Sequence, residues 1–163
     1  MDKTFRTFAV VFCAMVFAAG CGAEKKKAAN SDCLYEGYSP VRVEILPLTE
    51  FIPSPQDANT GRINVFLTLP DAFDCQQKFP GMFRFELYEE VVRSVEPKGK
   101  RVMLWPDVDM NDPAVNSKYW RNFLRAYEFE LLVNTKLDKS YILEVTFQTP
   151  SGKRLTADIK INP

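Results

Sequence analysis

Asp107, Asp109 and Asn111 stand at alternate positions. This spacing opens a calcium loop, in which successive oxygens turn toward one centre. Such a loop also wants glycine at its sixth position and glutamate at its twelfth. Asp112 and Lys118 stand there, so the EF-hand pattern fails. Two readings remain: a looser calcium site at one end of a β-domain, or a polar turn in which Asp112 caps a helix. The turn explains the same residues with fewer assumptions. Carboxylates also come in pairs, Glu89 with Glu90 and Glu128 with Glu130. A glycosidase holds two carboxyls across a cleft, whereas Glu128 and Glu130 alternate with apolar residues and belong on the outward face of a strand.

The chain has no histidine. That removes the commonest general base, the usual triad partner and the commonest zinc ligand. Ser31, Ser39, Ser54, Ser94, Ser117, Ser140 and Ser151 are the serines, and none lies in a Gly-x-Ser-x-Gly elbow. No glycine-rich phosphate loop is present, and no cofactor is expected. A hydrolase working through carboxylates is therefore the least favoured reading. Trp105, Tyr119, Trp120 and Phe123 offer π surface, with Arg121 and Arg125 as a polar rim, which could bind a sugar or a partner. A helix stripe docked on a sheet is the commoner fate of such residues.

The N-terminus carries an address. Lys3 and Arg6 precede an uncharged apolar run, Phe8 to Phe17, followed by Ala18-Ala19-Gly20-Cys21. This is the three-part pattern of a secretory signal peptide. The run is too short to span a bilayer, which needs about 20 apolar residues. Ala18 to Cys21 resembles the lipobox of bacterial lipoproteins, with Ala18 where leucine is usual. The resemblance implies that Cys21 is acylated and becomes the first mature residue, held in the membrane by several acyl chains. Gly22 and Ala23, with no aspartate beside the cysteine, imply the outer membrane, facing the periplasm. Ordinary cleavage after Gly20 is the alternative.

Residues 1–20 are thus read as signal peptide, 21–34 as lipidated cysteine and flexible tether, and 35–163 as one domain. Loss of Asp2, Lys3 and Arg6 from 21 basic and 21 acidic groups leaves 19 and 20. A net charge of −1 recruits no nucleic acid. Lys25-Lys26-Lys27 belongs to the tether. Cys33 and Cys75 are expected to pair in an oxidising compartment. That bridge would contribute roughly 4 kcal/mol in the chain-entropy picture.

Alternation then places the strands. They are Val41–Ile45, Ile63–Leu69, Phe83–Tyr88, Arg101–Leu104, Tyr127–Leu131, Tyr141–Phe147 and Leu155–Ile161. Phe51 to Thr60 reads as loop, and Glu96 to Lys100 as a turn. Asp112 before Pro113 predicts an N-cap with proline at N1, and a helix from Pro113 to about Leu124 with Val115, Tyr119 and Phe123 on its apolar side. Thr149-Pro150-Ser151-Gly152 predicts a tight turn that sets Phe147 opposite Leu155, Val145 opposite Ala157 and Glu144 opposite Asp158, with Lys160 relieving the acidic pair.

Seven short alternating strands predict a mainly β fold, an antiparallel β-sandwich with one short helix near 113–124. Its outline resembles immunoglobulin-like and transthyretin-like domains. Lipid, tether, sandwich and inserted helix together are similar in plan to the type VI secretion lipoprotein. The expectation is a lipid-anchored, non-enzymatic interaction module, an accessory subunit of an envelope assembly with a protein partner. A carbohydrate- or calcium-binding module is the alternative.

Overall fold

The computed structural model describes residues 36–56, 60–134 and 137–162. The signal peptide, Cys21, the tether and Cys33 lie outside the described residues.

The chain is an antiparallel β-sandwich. Its strands are β1 (Glu44–Ile45), β2 (Glu50–Pro53), β3 (Gly61–Thr68), β4 (Met82–Glu90), β5 (Lys98–Leu104) and β6 (Val108–Asp109). Helix α1 (Pro113–Tyr119) follows, then β7 (Trp120–Arg121), β8 (Ala126–Val133), β9 (Tyr141–Gln148) and β10 (Arg154–Ile161). One sheet runs β1-β3-β8-β7, with β2 also on β3; the other runs β10-β9-β4-β5, with β6 also on β4. That order is the A-B-E-D and G-F-C-C′ order of immunoglobulin sandwiches. The seven expected strands are β1, β3, β4, β5, β8, β9 and β10. The three others are short edge pieces. Among the described residues no helix is long and apolar enough to cross a membrane.

Alternation does what it should. Ile63, Val65, Leu67 and Leu69, together with Phe83, Phe85 and Leu87, are fully buried between the sheets. Phe83 of one sheet meets Phe129 of the other at 5.1 Å between ring centroids, and Phe85 meets Phe129 at 4.9 Å. Each such ring contributes about 1.5–3 kcal/mol on leaving water, which makes this aromatic seam the main glue. Gly81 lets β4 begin close beneath it: a Cβ there would lie 2.4 Å from Phe147 Cζ. Tyr141, at the start of β9, is buried and donates its hydroxyl to Asp138 at 3.3 Å.

The β9–β10 register is the predicted one, Phe147 opposite Leu155 and Glu144 opposite Asp158. Gly152 takes φ +88°, and Thr149 N–H closes on the Lys153 carbonyl at 2.9 Å. The relief of the acidic pair comes from elsewhere. Lys98 on β5 bonds Glu144 and lies 3.4 Å from Asp158, while Lys160 pairs with Glu90 at 2.8 Å.

β5 starts at Lys98, inside the stretch expected to be turn. Among the described residues it is a border strand of its sheet, it carries Lys98, Lys100 and Arg101, and its pairing with β4 is bulged. The bulge rotates the strand, so Met103 pairs with buried Leu87 and Leu104 is left exposed.

The helix ends five residues before the expected Leu124. Trp120 leaves helical geometry with ψ 132° and pairs with Tyr127 as β7. α1 follows β6 of one sheet and leads into β7 of the other, so it closes that side of the sandwich.

Candidate functional site

The predicted N-cap is present: Asp112 accepts from the Ala114 N–H at 2.8 Å, with Pro113 at the first helical position. Behind it lies a buried polar knot. Asn116, 7% exposed, donates through Nδ2 to the carbonyls of Phe79 (2.9 Å) and Met110 (3.0 Å). Its Oδ1 accepts from the Tyr127 hydroxyl at 2.9 Å, and that hydroxyl accepts from the Phe79 N–H at 3.0 Å. Burial raises the Tyr127 pKa against both hydrogen bonds, which keeps a neutral phenol there. The knot fastens helix, β8 and the 70–81 connection together.

Of the aromatic platform expected from Trp105, Tyr119, Trp120 and Phe123, the first three are largely turned inward. Tyr119 stacks on Phe129 at 4.8 Å, and Trp120 meets Tyr127 edge-on at 5.0 Å. Trp105 donates Nε1–H to the Leu132 carbonyl at 2.8 Å. All three are half-buried. Arg121 bonds Glu128 and the Lys118 carbonyl. The exposed ring of this stretch is Phe123 at 84%, which the longer helix would have turned inward.

The calcium candidates do not converge. Asp107 is gripped by Arg84 at 2.9 and 2.7 Å. That hydrogen bond holds its carboxyl below the ordinary range and raises the guanidinium. Asp109 accepts from the backbone and side chain of Asn111, at 2.9 and 2.7 Å. Among the described residues no three acidic or cysteine side chains cluster as metal ligands would.

The remaining carboxylates on the β10-β9-β4-β5 sheet form a mutually neutralised face. Glu86 pairs with Arg101 at 2.7 Å, Glu89 with Lys139 at 3.1 Å, and Glu90 with Lys160. Lys98 is raised overall: burial works against its charge, and the bonds to Glu144 and Asp158 outweigh that. A polar depression of about 240 Å³ crosses this face beside Arg84, Gln148 and Arg154. A second groove of about 610 Å³ lies between β2, β3 and the end of β8, and Arg62 is the charged residue lining it among the described residues. Among the described residues neither gathers two unpaired carboxyls. Glu130 lies outward on β8, as expected of a solvated charge, and Glu128 is half-buried in its pairing with Arg121.

Cys75 is exposed and unbridged, and no disulfide joins described residues. Two features escaped the sequence reading. The tip of the β4–β5 hairpin exposes Val91 (44%), Val92 (72%) and Val95 (104%). Phe73, in the connection after β3, is 75% exposed. The signal for the tip was available, since three valines within a turn have no core to face.

No protein-family model, curated protein or solved structure matches the chain.

Proposed function

We propose that this chain is a lipid-anchored envelope protein whose sandwich is a non-enzymatic contact module, an accessory subunit of an envelope assembly. The observation that supports it is the hairpin tip. Val92 and Val95 stand almost wholly in water on a turn that already has Arg93 and Ser94 for solvation. An apolar cluster held out this way gains by being covered by a partner. The ion-paired outer face fits the same reading, because its carboxylates are bonded to cations and none is left poised for acid–base work.

The test is cross-linking in cells followed by recovery of the intact protein and identification of what travels with it. Val92→Asp with Val95→Asp should abolish the recovered partner while leaving the unfolding free energy within about 0.5 kcal/mol, as befits exposed positions. Undiminished recovery by that variant would refute the assignment of the tip.

A further inference from the structure

The open margins of a sheet are where a further strand can add. Among the described residues the two sheets have four, and three are blunted. β5 is bulged against β4 and carries Lys100. β1 and β2 are short pieces parted by Pro47, and β2 ends on Pro53. β7 is two residues long. β10 differs: it pairs with β9 at all eight of its residues, with no bulge, proline or glycine.

The hydrogen bonds fix which groups of β10 are free. Thr149 N–H bonds the Lys153 carbonyl at 2.9 Å, and the register carries that alternation to Phe147 with Leu155 and Val145 with Ala157. The N–H and C=O groups of Leu155, Ala157, Ile159 and Ile161 therefore face β9, and those of Arg154, Thr156, Asp158 and Lys160 turn away from it. Glu90 N–H on the Ser140 carbonyl, at 3.1 Å, gives the same parity from the far side of β9. Among the described residues nothing bonds those outward groups; β1 passes within 8 Å but bonds β3. The four side chains are exposed. Lys160 is held by Glu90, whereas Asp158 has its nearest cation, Lys98, at 3.4 Å and bonded to Glu144. Arg154 has no carboxylate partner among the described residues, because the acids of the depression beside it, Glu86, Asp107 and Glu144, are bonded to Arg101, Arg84 and Lys98.

We propose that two copies of this chain pair antiparallel along β10, joining their sheets into one. A two-fold axis at Thr156 places Arg154 opposite Asp158 of the second copy, twice, and Thr156 opposite its own counterpart. Opposite charges and paired threonines are both favourable cross-strand neighbours. The charges select this register. An axis at Leu155 pairs neither Arg154 nor Asp158, one at Ala157 opposes Arg154 to Lys160, and one at Asp158 opposes that acid to itself. An axis at Ile159 relies on Lys160, which Glu90 already holds. With Thr156 at the centre, Lys160 lies diagonal to Arg154 of the second copy, and the same Glu90 offsets that. Arg154, Thr156 and Asp158 then exchange about six main-chain hydrogen bonds across the seam. The contact uses the free side of both strands, so assembly along it closes at two.

The test reverses charges. The full chain is followed by sedimentation over a concentration series reaching the millimolar range, with circular dichroism to show that each variant is folded. The wild-type chain should form dimers. Arg154→Asp sets acid against acid at both ends of the seam, and Asp158→Arg sets base against base, so each alone should raise the dissociation constant about tenfold or more. Mixed together, the two variants should pair as tightly as the wild-type chain, since each supplies the charge that the other lacks. Thr156→Pro loses an N–H on the free side only, and should abolish the dimer while keeping the bonds within the sheet. A wild-type chain that stays monomeric throughout overturns the proposal. So does a dimer that survives either reversal or the proline, and so does a mixture that pairs no better than its components.

Discussion

Asn116→Ala should be among the most damaging single changes outside the apolar core. The amide meets two buried groups, at 3.0 Å (Met110 O) and 2.9 Å (Tyr127 hydroxyl), and one partly buried, at 2.9 Å (Phe79 O). After truncation the Phe79 carbonyl retains only the Tyr127 hydroxyl at 3.5 Å, and the Met110 carbonyl loses its side-chain donor. An unmet buried polar group costs about 1–3 kcal/mol, so the variant should lose about 2–4 kcal/mol. Tyr127→Phe strips the Phe79 N–H and Asn116 Oδ1 of a partner and should lose about 2–3 kcal/mol. In the double variant Oδ1 no longer exists to be orphaned. The sum should therefore exceed the measured double loss by about 1 kcal/mol. Urea unfolding followed by tryptophan emission suits this, since the Trp120 ring lies 5.0 Å from that of Tyr127. Additivity within about 0.3 kcal/mol, or a loss below about 1 kcal/mol for Asn116→Ala, would refute the reasoning. The helix would then be held by Val115 and Tyr119 alone.

Three further outcomes are expected. Gly81→Ala forces a methyl against the Phe147 ring and should cost about 1–3 kcal/mol in chemical denaturation, whereas a neutral result would mean that the ring yields freely. Lys98→Met leaves Glu144 facing Asp158 with no cation between them, and should lose about 1 kcal/mol, less in high salt; salt-independent loss would point to packing instead. Asp107 has its folded pKa depressed by Arg84, so its contribution is complete above the ordinary carboxyl value near about 4 and fades as pH falls through the depressed one. Asp107→Asn should accordingly lower the unfolding midpoint at neutral pH and leave it unchanged in strong acid, and equal loss at both would contradict the pairing.

The long strands were legible because each buries one face and its alternation is unbroken. The β9–β10 register was legible because proline and glycine in the turn admit few geometries. What failed did so at long range. Lys98 relieves Glu144 from 46 residues away, across β4, and no local pattern announces that. Tyr119 and Phe123 have helical spacing, yet backbone pairing of Trp120 with Tyr127 captures the chain first and puts Phe123 in water. β2, β6 and β7 are two to four residues long, too short for alternation to register. Asn116 was invisible as a structural residue, because a polar side chain on a short helix reads as surface until the carbonyls it serves are known. Of the candidate site, the aromatic residues were found but their direction was not, since direction depends on where the helix stops.

On the anchoring proposed above, the domain would meet its own copies far more often than one diffusing in bulk. For a sandwich with an open margin, that frequency is a hazard. Lys98 and Arg101 on β5 are already bonded to Glu144 and Glu86, so what discourages two molecules from pairing along this strand is Lys100 and the bulge, which throws the ladder out of step. Dense two-dimensional populations can then jostle flank to flank without zipping into fibres.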